Sequence, residues 1–105
     1  MVKHIVLFQL DPEMESNARL KVMQAFKEGI ETLPEKIACI RKIEVGLNIN
    51  SEETFDIALY SEFDTLEDVK EYAKHPAHLA VAALLRDCKK SRSCVDYECK
   101  TSCAE

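Results

Sequence analysis

Two glycines and three prolines in 105 residues exclude a collagen-like, low-complexity or disordered chain. Long apolar runs are missing as well. The run from Ile5 to Phe8 is far shorter than a signal-peptide core, and no uncharged stretch approaches the length of a bilayer span. The expectation is a cytoplasmic protein with no membrane partner. Basic charge is scarce: 14 Lys and Arg stand against 19 Asp and Glu, for a formal net charge of -5. That is the wrong sign for gathering nucleic-acid phosphates, so no nucleic-acid partner is expected. No glycine-rich phosphate loop, nucleophile elbow, HExxH helix or paired-carboxylate motif occurs, which removes kinase, serine hydrolase and zincin readings.

Five cysteines, Cys39, Cys88, Cys94, Cys99 and Cys103, form an odd set without an export signal, so free, reduced thiols are expected. Four of them crowd the end of the chain, but the gaps of five, four and three residues do not match the tight knuckles of structural zinc sites. Neither a metal nor a cofactor is expected.

What remains is an ordinary globular composition, 47% hydrophobic and 31% charged, at a length suited to one core. Val2 to Leu10 is nearly all apolar and β-branched, the pattern of a buried strand. Asp11-Pro12 ends it. Leu20, Met23, Phe26, Ile30 and Leu33 then recur every three or four residues, predicting an amphipathic helix that ends near Pro34, with Ser16 as N-cap. Ile37 to Val45 and Thr54 to Phe63 read as strands joined by the polar loop Gly46 to Glu53. Thr65 caps a helix that Pro76 breaks into two pieces, the second from Ala77 to about Lys89. Ser93 to Cys99 alternates and reads as a last strand, before a frayed tail at 100–105.

The order strand, helix, strand, strand, helix, strand predicts an α+β, ferredoxin-like βαββαβ domain over residues 1–99, with both helices on one face of a four-stranded antiparallel sheet. Ile5 and Leu7 point away from His4, Val6 and Phe8, so the open sheet face carries an apolar patch. A homodimer through that face is expected. Charge is uneven: Glu52 to Glu71 holds eight acids against Lys70, while Arg86, Lys89, Lys90 and Arg92 face only Asp87. Solvated faces explain this more simply than an electrostatic docking site.

The densest cluster of reactive side chains is Tyr72, His75 and His78 around the break at Pro76. The break turns His78 inward near Tyr72, and imidazole suits proton transfer near neutral pH. His75 reads as a helix cap. Cys94, Asp96 and Glu98 share one face of the last strand. If that face meets the helices, Asp96 pairs with His78, fixes its tautomer and raises its basicity. His4, on the helix side of the first strand, reads more readily as a hydrogen-bonded core residue than as a catalyst.

Together, Val2-Lys-His-Ile-Val-Leu-Phe, Gly46-Leu-Asn, Asp56-Ile-Ala-Leu, Phe63 to Tyr72, His75-Pro-Ala-His78 and Asp96-Tyr97 resemble the Dabb family, the stress-responsive dimeric α/β-barrel domain. The resemblance spans Val2 to about Glu98. It implies a dimeric barrel with a small pocket between sheet and helices in each protomer. Family members include plant stress proteins and a cofactor-free polyketide cyclase. By resemblance to that cyclase, Tyr72, His78 and Asp96 are the catalytic residues and His4 is a pocket residue. Ile57 and Lys89 stand where the cyclase carries a pocket histidine and a pocket tryptophan. Some plant relatives hold magnesium on carbonyls that correspond roughly to Ile30, Leu33 and Lys36, but carbonyls are not sequence-specific and the metal is not carried over.

Two functions follow. One is a domain of unassigned reaction that binds a small apolar or carbonyl-containing molecule through His4, Val6, Phe8, Phe26, Ile57, Leu59, His75 and Cys94. The other is a cofactor-independent proton-transfer enzyme of cyclase, lyase or isomerase type, with His78 and Asp96 as base and Tyr72 as donor. A cavity touching both Tyr72 and His78 favours the second.

Overall fold

The computed structural model describes residues 1–100; of the expected tail at 100–105, all but Lys100 lies outside the described residues, Cys103 included. The first strand, β1 (Val2–Leu10), has the predicted bounds, with Val2, His4, Val6 and Leu10 buried. Helix α1 (Ser16–Glu31) is capped by Glu15 instead of Ser16: its carboxylate accepts the N–H groups of Asn17 at 3.0 Å and Ala18 at 3.1 Å, leaving Ser16 as the first helical residue. Among the described residues, no helix is long and apolar enough to cross a membrane.

The expected strand from Ile37 is a shorter one, β2 (Lys42–Leu47). Ile37 and Ile40 are buried as plugs in the turn after a 3-10 segment, Leu33–Glu35, because apolar residues three apart fill a core from a turn as well as from a ladder. Strand β3 (Ile57–Phe63) starts three residues later than expected and keeps the period of two, with Ile57, Leu59, Ser61 and Phe63 buried. Helices α2 (Leu66–Lys74) and α3 (Pro76–Ala82) are the two predicted pieces, but α3 stops short and gives way to a 3-10 turn, Ala83–Leu85. The last strand, β4 (Lys89–Glu98), begins four residues earlier than read.

The sheet order is β2-β3-β1-β4 with every neighbour antiparallel, the ferredoxin-like arrangement. Met23, Phe26 and Ile30 of α1 and Val69 and Tyr72 of α2 bury against Val6, Leu59 and Phe63. Truncating a buried aromatic such as Phe26 to Ala costs about 3–5 kcal/mol. Gly29 sets how closely α1 meets α3, since a Cβ there would lie 2.9 Å from a Val81 methyl. Glu31 ties α1 to β2 by accepting Val45 N–H at 3.1 Å and the Lys27 ammonium at 2.8 Å.

Candidate functional site

Pro76 has no N–H, and the hydrogen bonds of the helix rearrange around it. In an unbroken helix the Ala73 carbonyl would accept Ala77 N–H. Here Ala77 N–H donates to His75 Nδ1 at 3.0 Å, and the Ala73 carbonyl accepts from His78 Nδ1 at 3.0 Å. His75 thus ends α2 and caps α3. Because a carbonyl can only accept, His78 carries its proton on Nδ1, and its lone pair is on Nε2. A main-chain carbonyl does the orienting that was expected of Asp96.

Asp96 pairs elsewhere. The β1–β4 register sets it opposite His4, and His4 Nδ1–H donates to its carboxylate at 2.5 Å. The expected His78–Asp96 pair is therefore replaced by His4–Asp96. Alternation placed Asp96 on the correct face, but the lateral neighbour depends on strand order. The signal that would have found it was available: a ferredoxin-like order pairs the first strand with the last.

Between sheet and helices lies a cavity of about 120 Å³ lined by His4, Val6, Phe8, Phe26 and Leu59 from the expected pocket set, together with Tyr72 and His78. Ile57, in the core beside Phe8 and Leu47, does not line it, nor do His75 and Cys94. Cys94 stands next to it, with Sγ 3.7 Å from His4 Nδ1. Ala73, Ala82, Leu85, Lys89 and Arg92 complete the wall; of these, only Lys89 is set at a pocket position by the resemblance. Arg92 escaped because a polar segment without alternation does not read as strand.

Tyr72 stands between the two imidazoles, its ring 4.5 Å from that of His78 and 6.1 Å from that of His4. It is 1% exposed, and its hydroxyl has no hydrogen-bond partner, a costly condition in a folded core. Burial pushes its ionisation well above the ordinary phenol range, slightly opposed by the Arg92 charge. For His78, burial lowers the pKa below its ordinary 6.5, the Ala73 carbonyl opposes this, and the charges of His4 and Arg92 add to the lowering. The basicity expected to rise is depressed instead, and the ring is neutral at pH 7. The site therefore offers an imidazole lone pair, an uncommitted phenol O–H and an apolar wall.

Two clusters among the described residues combine three ligand-type side chains: His4, Cys94 and Asp96, and Cys39, Asp68 and Glu71. In the first, the His4 nitrogen is already committed to Asp96. Near the end of α1 the Leu33 carbonyl accepts the N–H groups of Lys36 and Ile37 at 2.8 Å each. Cys39, Cys88 and Cys94 are free, whereas Cys99 is disulfide-bonded, which corrects the expectation of free thiols throughout.

The chain is similar to known proteins along nearly its whole length. It is 33% identical over 88 residues to an uncharacterized protein of Streptomyces coelicolor, covering 83% of this chain and 89% of that one. A crystal structure described as a dimeric protein of unknown function with a ferredoxin-like fold, from Bacteroides fragilis, is 61% identical with a TM-score of 0.92, covering 92% of this chain and 94% of that one. A dimeric ferredoxin-like protein of unknown function from Thermobifida fusca shares the fold at 22% identity and a TM-score of 0.73, covering 91% and 88% of the two chains. The model of the stress responsive A/B barrel domain, Dabb, matches residues 2–99, and the chain belongs to that family.

Proposed function

We propose that this domain is a cofactor-independent proton-transfer catalyst acting on a small carbonyl compound. The observation that carries this reading is the buried Tyr72 hydroxyl, left without a partner in a cavity that it shares with the neutral imidazole of His78. In the proposed step His78 Nε2 takes a proton from the carbon next to the substrate carbonyl. The C–H electron pair moves into a new C=C bond, and the carbonyl oxygen becomes an enolate. Tyr72 O–H, itself buried, donates to that oxygen as its charge develops. His78 then returns the proton to carbon or oxygen, so no oxidant or reductant is needed. Asp96 acts through His4, whose orientation it holds at the other side of Tyr72.

The working unit is a homodimer closed through the open sheet face. Ile5 pairs with Val95 there, and Val95 and Tyr97 are 51% and 44% exposed in the single chain, a patch that a second copy would cover. The dimeric Bacteroides fragilis relative supports this pairing.

The test is solvent deuterium incorporation into a panel of small ketones and keto acids, followed by NMR. Exchange that exceeds buffer and falls at least about 100-fold in His78→Gln supports the catalyst. If no panel member exchanges while cavity resonances still shift on titration, the domain is a small-molecule binder.

A further inference from the structure

Strand β4 enters the sheet through an irregularity. Gln9 pairs with Ser91 and Leu10 with Lys89, so Lys90 is an extra residue between them. In a regular strand Lys89 and Arg92, three apart, would face opposite sides. The bulge at Lys90 places Lys89 opposite Leu10 and Arg92 opposite Phe8, both on the helix side, and a bulge is a known device for re-aiming side chains. Both residues border the cavity and are exposed. Among the described residues neither forms an ion pair with a carboxylate. The Lys89 ammonium is 6.0 Å from the centre of the Phe8 ring, and the Arg92 charge is felt at Tyr72, His78 and Cys94. A protein of net charge -5 thus presents two cations without a carboxylate partner at the opening of an apolar pocket, where the field is focused.

We propose that the cavity takes a small carboxylic acid that also carries a ketone or aldehyde carbonyl, its carboxylate held at the opening by Arg92 with Lys89 beside it and its apolar body against Phe8, Phe26 and Leu85. This rests on the proton-transfer reading of the same cavity and names its substrate class. A guanidinium matches a planar carboxylate with two parallel hydrogen bonds. A dry cavity of about 150 Å³ holds benzene, so the 120 Å³ here suits a short branched chain or a small ring whose charged end stays in the opening. Lys89 also borders a surface groove containing Asp11 and Asp87, which makes Arg92 the principal anchor.

The test is an NMR titration of the whole protein with benzoate and with benzamide, a pair of nearly equal shape that differs in charge. Benzoate is expected to bind at least about tenfold more tightly, with shifts at Phe8, Tyr72 and Arg92, and to weaken as salt is raised. Arg92→Gln should abolish that preference and leave benzamide unchanged, Arg92→Lys should restore part of it, and Lys89→Gln should have a smaller effect. Equal affinities, a preference that survives Arg92→Gln, or no shift with either probe would each overturn the proposal. Proton transfer is read separately. His78-dependent exchange of neutral ketones without a carboxylate preference removes only the anion subsite, whereas Arg92-dependent benzoate binding without any exchange removes only the catalyst.

Discussion

Asp96 accepts the Nδ1 proton of His4 at 2.5 Å across the paired strands β1 and β4, and by doing so holds one imidazole of the cavity while the other is held by the Ala73 carbonyl. Asp96→Asn is therefore expected to move the His4 imidazole resonances and leave those of His78 nearly in place. A hydrogen bond to a charged group is worth about 1.5–3 kcal/mol. The Asp96 side chain is 31% exposed, so a loss of about 1 kcal/mol in denaturant unfolding is expected. A large shift at His78 would contradict the assignment.

The depressed pKa of His78 gives stability a definite slope. Its folded value lies below the ordinary 6.5 because burial disfavours the charged ring. As pH falls, the unfolded chain takes up this proton first. The stabilisation is thus fully present above the unfolded-state pKa, declines as pH drops through it and levels off below the folded value. Denaturant unfolding at about pH 8 and about pH 5.5 should show a smaller loss in His78→Gln than in the wild type. An equal or larger loss in the variant would show that the ring is not held neutral.

Tyr72→Phe separates fold from chemistry. The hydroxyl makes no hydrogen bond in the structure, so its removal should leave stability unchanged or raise it by up to about 1 kcal/mol. Losing a donor to a developing oxyanion costs roughly 100- to 1,000-fold in turnover. A thermal melt and an exchange assay on the same preparation check both. A marked loss of stability would mean that the phenol has a structural partner.

The strongest periodic signals in the sequence were read correctly, and the misreadings have physical causes. Val2 to Leu10 is apolar apart from Lys3, His4 and Gln9, and its strand ends where expected. Lys89 to Arg92 carries no apolar residue and is held in the sheet only by its ladder with β1, a contact between opposite ends of the chain that no local pattern encodes. Residues 37–40 looked like strand because Ile37 and Ile40 are apolar, yet their burial comes from a turn. At the site, Tyr72 and His78 were identified from the break at Pro76, and the faces of His4 and Asp96 from alternation. The His4–Asp96 pair needed strand order, and Arg92 needed the bulge.

The interruption at Pro76 makes the orientation of the proposed base and mechanical robustness compete for the same backbone groups. Pro76→Ala would let Ala77 N–H return to the Ala73 carbonyl, which His78 now occupies. The variant is expected to gain helicity by circular dichroism and to melt no lower than the wild type. Its His78 should show both neutral tautomers by NMR, and any proton-transfer rate should fall. Efforts to thermostabilise this chain by repairing its most obvious flaw would then select for well-folded protein that has lost the proposed proton transfer.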